Sequence, residues 1–266
     1  MSSSAIYSGR SRSVPTIQVR QLVTGMAPML LLYFLYTVIR FLVKDRGPVE
    51  GIRNGYNVLH LEERLGLDWE VSLQEVMLPH EWLVKAANWY YVIGFLPVIL
   101  ACAALAAVLD FQTFLWWRKR FALTMILALI GFALFPLAPP RMLPGMVDTL
   151  MVYGPQYYGD SQGSSFFNAY GRLPSMVNVY AAMPSMHVAW SIIGGALLIG
   201  AFKGRWWAWT LGVLHPVLMG IAVIVTANHY LLDVVVGVLA LIGALLILHF
   251  AGRVMGSRVD TRTAYV

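Results

Sequence analysis

His229 and Asp233 stand four residues apart in "NHYLLD", a spacing that puts both on one face of a helix. A carboxylate within reach of one imidazole nitrogen fixes the tautomer and stabilises the ring's positive form. The other nitrogen is then left to attack or to take a proton. A second histidine, His187, follows Pro184 and Ser185 in "MPSMHVAW", at the start of an apolar run. Pro184 suits the first turn of a helix, where its missing N–H costs nothing. The N–H groups of Ser185, Met186 and His187 would then form the positive end of that helix, a ready seat for phosphate. Arg141, in "PLAPPRM", adds a fixed charge and a planar fork matched to phosphate oxygens. A nucleophile with its orienting acid, a second histidine, an anion cradle and an arginine suit phosphoryl transfer, where positioning and charge neutralisation do most of the catalysis.

These residues act together only if the chain gathers them. It is 59% hydrophobic and 12% charged, with mean hydropathy +0.67, where a soluble domain carries about 25% charged residues. That composition reads as an integral membrane protein. The net charge of +6 is not concentrated in a long basic run, so nucleic acid is not expected as a partner. The charge fits membrane orientation and attraction to anionic lipid heads instead. Cys102 is the single cysteine, which rules out an internal disulfide.

A span needs about 20 mainly apolar residues, and six segments qualify: 22–43, 84–109, 121–139, 184–202, 206–227 and 229–250. The expected fold class is all-α, a polytopic membrane helical bundle of six transmembrane helices. Residues 57–78 are not a span. Val58, Leu61, Leu65, Trp69, Leu73 and Val76 recur at helical spacing among acids, with Asp68 as N-cap of a second piece. They read as amphipathic interfacial helices in the first external loop, or as a cap packed on the bundle. The expected organisation is a flexible basic cytoplasmic N-terminus over 1–21, read as uncleaved, a six-span catalytic domain over 22–250 and a cytoplasmic tail over 251–266.

Arg118, Lys119 and Arg120 in the connection 110–120, Lys203, Arg205 and the arginines of both termini fall on one side of this layout. Excess Lys and Arg marks the cytoplasmic side. Both termini are then cytoplasmic, while Arg141, Ser185, His187, His229 and Asp233 share the external (periplasmic or luminal) face. Composition does not require that convergence. Singly, each residue has a bland reading: a hydrogen-bonded structural histidine, a lipid-head anchor, a helix–helix partner. His215 and His249 fit the first of these.

"PPR", "PSMH" and "HYLLD", in that order and within six spans, resemble the type 2 phosphatidic acid phosphatase superfamily. Its motifs are a basic set ending in Arg-Pro, a Pro-Ser-Gly-His, and a Ser-Arg-x5-His-x3-Asp. "AMPSMHVAW" and "NHYLLD" are more similar to its inositol phosphorylceramide synthase-like branch. The resemblance covers residues 135–240. It implies that His229 is the nucleophile, Asp233 its orienting partner and His187 the general acid and later the base. Arg141 and Ser185 would hold the phosphate, with no metal or other cofactor. Two positions depart from the pattern. Val223, preceded by Ala222, stands where arginine preceded by serine is usual, and Leu134 stands where lysine is common. Arg172 is the first candidate to complete the cradle, with Lys44, Arg46, Asn228 and Tyr230 behind it. The loop 142–183, rich in Tyr and Phe among Gly and Ser, reads as a lid, a lipid-head contact or an interfacial aromatic belt.

The expected activity is cleavage of a lipid phosphate or diphosphate ester through a phosphohistidine. Water as acceptor makes a phosphatase. An alcohol makes a phosphotransferase that moves a headgroup such as phosphoinositol between lipids. Expected partners are the bilayer and a lipid substrate: a lipid phosphate, a polyprenyl phosphate or a phosphoinositol lipid. A homo-oligomer is left open. The competing readings are a proton-coupled transporter, an intramembrane serine protease using Ser185, and a zinc hydrolase with His187, His229 and Asp233 as ligands.

Overall fold

The computed structural model describes residues 19–42, 48–153 and 178–263. Among them the chain is helical apart from one parallel bridge between Leu137 and Ala181. Helix α1 is Val19–Leu42, α2 Pro48–Leu65, α3 Trp69–Met77, α4 Glu81–Ile93, α5 Leu96–Leu109 and α6 Phe111–Leu134. After a 3-10 turn at Pro140–Met142 come α7 Thr149–Tyr153, α8 Met186–Ala201, α9 Trp206–Val225 and α10 Leu231–Thr263. The last helix therefore runs on past residue 250.

Helix α8 is the centre. It packs against α5, α6, α9 and α10. Trp190 on α8 is fully buried and meets the rings of Tyr33, Tyr36, Phe95 and Phe121. On its other side α8 meets α9 where Gly195 faces Gly212. A Cβ on Gly195 would collide with the Gly212 carbonyl oxygen, so the two backbones approach only because neither residue has a side chain.

Three stretches, Leu22–Leu42, Trp206–Val225 and Leu231–Val254, are long and apolar enough to cross a membrane. Helices α4 and α5 make a fourth if taken as one span bent by 47°. The chain is a multi-pass membrane protein. The fourth expected segment, 184–202, is the 16-residue α8, about 24 Å long at 1.5 Å per residue.

The third segment, 121–139, needs correction at both ends. Residues 110–120 are not a connection but the first turns of α6. Asp110 caps that helix, accepting from the Thr113 N–H at 3.1 Å and the Thr113 hydroxyl at 2.9 Å, and Phe114 is buried. Main-chain carbonyls take the two arginines that ride inside the helix: Arg118 donates to Gly25 and Arg120 to Trp116. The helix stops at Leu134, since Pro136, Pro139 and Pro140 lack N–H donors and push the residues before them into extended backbone.

Helices α2 and α3 pack on the bundle, with Val58 and a few polar side chains turned inward. Glu62, Glu70 and Gln74 are buried, whereas Leu61, Leu65, Trp69 and Val76 are exposed. Asp68 occupies the N-cap position of α3 but makes no capping hydrogen bond through its side chain.

Because α8 and α9 touch through glycines, Gly195→Ala should cost about 1–3 kcal/mol of stability by overpacking. Gly220→Ala on α9, where an added Cβ meets nothing within 4 Å, should change stability by less than about 1 kcal/mol. Thermal unfolding of the two variants in detergent tests the difference.

Candidate active site

Four chain segments meet at one end of the bundle, tied by main-chain hydrogen bonds. The segment after α6 pairs with the segment before α8: the Leu137 N–H donates to the Tyr180 carbonyl at 2.7 Å, and the Ala182 N–H to the Leu137 carbonyl at 3.3 Å. From α2, Gly51 and Asn54 tie down the same strand-like stretch. The Gly51 carbonyl accepts from the Ala138 N–H at 3.0 Å, and the Asn54 amide donates to the Pro136 carbonyl at 2.8 Å. The Ser185 N–H donates to the Asp233 carbonyl at 2.9 Å, and the Arg141 N–H to the Ala227 carbonyl at 2.9 Å. "PSMH" is thus bonded directly to "NHYLLD", and "PPR" to the residue just before it.

Each motif sits at a helix end. Ser185 is the N-cap of α8, so Pro184 lies before the first turn rather than in it. The Ser185 N–H is committed to Asp233, and the free N–H groups of that helix begin at Met186. The Ser185 hydroxyl is buried without a partner. Helix α9 ends with Ala227 in the left-handed region at φ +51°. The Ala227 N–H reaches the Ile224 carbonyl, and the N–H groups of Asn228 and His229 both reach the Val223 carbonyl. This αL helix stop turns the chain so that His229 comes back over the bundle. Gly237 lets α10 lie against the α8 cap, since a Cβ there would collide with the Ser185 carbonyl oxygen.

The side chains then converge. His229 Nδ1 lies 3.2 Å from Asp233 Oδ2, and that carboxylate also accepts the Tyr230 N–H at 3.0 Å. Asp233 is fully buried and His229 nearly so. His229 Nε2 faces His187 Nδ1 at 3.2 Å. The His187 ring is held between Tyr91 and Phe95, at centroid distances of 4.5 and 4.0 Å. Arg141 is hydrogen-bonded to the Asn228 side-chain oxygen and lies 3.4 Å from Asp148. Asn228 in turn donates to the Thr226 hydroxyl at 2.7 Å.

Of the sequence candidates, His187, His229, Asp233, Ser185 and Arg141 come together. Tyr230 is adjacent, but its side chain is buried against Val58, Leu137, Leu143 and Ala182, with its hydroxyl beside Gly55. Arg172, Lys44, Arg46 and the aromatic cluster of the 142–183 loop after Tyr153 lie outside the described residues. His215 is bonded through Nδ1 to the Tyr90 hydroxyl at 2.6 Å. Among the described residues, no three or more His, Cys, Asp and Glu side chains are arranged to hold a metal ion.

Sequence reasoning missed several residues. Arg40, at the end of α1, donates to the Asn178 carbonyl at 3.0 Å, lies over the rings of Tyr36 and Phe132, and its charge acts on His187 together with that of Arg141. Asp148 partners Arg141. Glu62 and Glu70 accept the N–H groups of Leu232 and Leu231, each at 2.6 Å. Only helical periodicity was legible for the two glutamates, and it assigned them no partner.

A family model described as the PAP2 superfamily matches residues 56–247. The chain belongs to the PAP2 superfamily. The match contains Arg141, Ser185, His187, His229 and Asp233. A curated relative, the phosphoinositol dihydroceramide synthase of Bacteroides thetaiotaomicron, is 26% identical over 196 residues, covering 69% of this chain and 62% of the relative. This PAP2 chain thus spans less than two thirds of that protein's length, and the similarity agrees with the synthase-like branch expected from "AMPSMHVAW" and "NHYLLD". No solved structure matches the chain significantly.

The His229–Asp233 contact predicts a fixed tautomer. Ring-nitrogen NMR at neutral pH should show His229 protonated at Nδ1 and bare at Nε2. Asp233→Ala should shift it towards the opposite tautomer, and an unchanged spectrum would mean that Asp233 does not orient the ring.

Proposed function

We propose that this protein is a membrane lipid phosphotransferase or phosphatase acting through a phosphohistidine on His229. One observation carries the reading. The Asp233 carboxylate holds His229 Nδ1, and the opposite ring nitrogen, Nε2, points at His187 beside Arg141. A lone pair on Nε2 attacks the phosphorus of a lipid phosphate, and the P–O bond to the leaving group breaks. Binding of phosphorus there replaces the His187–His229 contact, and His187 gives its proton to the leaving oxygen. His187 then takes the proton of the acceptor hydroxyl, whose oxygen bonds to phosphorus as the bond from phosphorus to Nε2 breaks.

Arg141 supplies the phosphate-binding charge. Arg40 stands in for the cations that the usual pattern would have at positions 134 and 223, and the helix end behind Ser185 completes the cradle. Tyr230 contributes its backbone N–H to Asp233, and Arg172 remains a candidate contact from the external loop. The reaction uses no metal. We place α6 and α8 as the third and fourth of six spans, the termini in the cytoplasm and the site at the external face, with α2 and α3 at the interface showing Leu61, Leu65, Trp69 and Val76 to lipid.

Similarity to a phosphoinositol dihydroceramide synthase favours an alcohol acceptor over water. The donor would then be a phosphoinositol lipid and the acceptor a lipid hydroxyl.

Purified protein with EDTA should release phosphate from a lipid phosphate, or transfer a phosphorylated headgroup from a labelled phospholipid to a lipid alcohol. His229→Ala should lower kcat by about 10⁴ or more, and Asp233→Asn by about 10²–10⁴. Arg141→Ala should lower kcat by about 10²–10³. Activity restored by a divalent metal and lost in EDTA would overturn the mechanism. Equal turnover by wild type and His229→Ala would remove His229 from it.

A further inference from the structure

Glu62 and Glu70 have no part in the chemistry above, yet both are fully buried at the start of the helix that carries Asp233. One oxygen of each takes a main-chain donor of α10: Glu62 Oε1 from Leu232 and Glu70 Oε1 from Leu231, each at 2.6 Å. Such short bonds to a carboxylate are the stronger kind. The remaining oxygens, Glu62 Oε2 and Glu70 Oε2, are buried without a donor. Unsatisfied buried carboxylate oxygens are costly. Among the described residues neither glutamate is paired with a lysine, arginine or histidine. The two carboxyl groups take the N–H groups of successive residues, Leu231 and Leu232, so they stand side by side under one turn of α10.

We infer that Glu62 and Glu70 share one proton as a carboxyl–carboxylate pair, and that this pair is a positioning device that fixes the His229–Asp233 end of α10. The proton bonded to one free oxygen and donated to the other satisfies both orphans at once. It also removes one negative charge from a crowded place. The titratable groups facing the pair are Asp233 and Tyr230 at the start of α10, with Tyr56 on α2 beside Tyr230. None brings a positive charge. Burial first, then the charges of Glu70 and Asp233, push the Glu62 carboxyl up to about 8. Burial also raises the Glu70 carboxyl, against the pull of its N–H donors.

The consequence for pH has a definite sign. The value of Glu62 in the folded protein lies above that of an unfolded carboxyl. The stability linked to its proton is complete below the unfolded value and is lost as the pH climbs through about 8. Above that pH two carboxylates repel each other under the N–H groups of Leu231 and Leu232, and the turn carrying His229 loosens. The catalytic part of this inference rests on the proposed role of His229; the shared proton does not.

The test uses the full chain in nanodiscs of zwitterionic lipid, with no substrate in its first arm. Thermal unfolding is followed from mildly acidic to alkaline pH for wild type and Glu62→Gln. The amide keeps an acceptor for Leu232 and a donor towards Glu70 but cannot ionise. Wild type should lose stability through about 8, and Glu62→Gln should lose none there. Infrared spectra should show a protonated carboxyl band that Glu62→Gln removes. Superimposable stability curves, or an unchanged band, would overturn the shared proton.

In the second arm, Glu62→Ala should lower kcat about tenfold with little change in KM. Glu62→Gln should recover most of that loss and move the alkaline limb of the rate profile upward. A Glu62→Gln enzyme as slow as Glu62→Ala, or with the wild-type limb, would overturn the positioning role. If Glu62→Ala does not fold, the limb in Glu62→Gln decides alone. A wild type that turns over no lipid phosphate sinks the proposed function, while the first arm still judges the proton pair.

Discussion

The N-terminus of α10 is buried, and its main-chain donors must find acceptors inside the protein. In an apolar bundle an unpaired N–H costs several kcal/mol. Here three carboxyl groups meet the need: Asp233 takes the Tyr230 N–H, Glu70 that of Leu231 and Glu62 that of Leu232. The positive end of a helix dipole favours such company. This arrangement fixes where α10 begins, and therefore where His229 and Asp233 stand. It also explains why α2 turns Glu62 inward and α3 Glu70.

The same rule assembles the rest of the site. Each motif lies where a helix ends and main-chain groups fall free. Those groups satisfy one another across motifs: Ser185 with Asp233, Arg141 with Ala227, Leu137 with Tyr180. The polar side chains are thus presented by backbone already locked in place, so little reorganisation accompanies ligand binding. Gln74 extends the pattern, bonding the Val147 backbone through both ends of its amide and the Val225 carbonyl as well. That grip holds the loop carrying Asp148 against the end of α9.

Apolar packing does a separate task. The rings around Trp190 and the glycine contact between α8 and α9 hold α8 at the centre. The bend between α4 and α5 brings Tyr91 and Phe95 onto the His187 ring. Contact with two aromatic rings, one stacked and one tilted, restricts ring rotation without using a hydrogen-bonding nitrogen, which leaves Nδ1 of His187 to His229.

Composition and apolar run length sufficed to read a helical membrane protein, because burying backbone in lipid leaves few alternatives to helices. The i, i+4 spacing of His229 and Asp233, and the order of "PPR", "PSMH" and "HYLLD", made the candidate site and its superfamily legible, because both are local features. The 121–139 segment misled for a local reason too: a run of cations looked like a loop, whereas in the fold carbonyls of α1 and α6 absorb it. Arg40, Asp148, Glu62 and Glu70 could not be read, because each meets the site only across long sequence separations. The periodicity of α2 and α3 was only partly informative: Val58 of the apolar stripe is buried, but so are Glu62 and Glu70, which accept from the start of α10. The sequence by itself determined the motifs, their order and the superfamily they belong to. Only the tertiary structure decided which charges satisfy which backbone donors, because that depends on contacts between helices far apart in the chain.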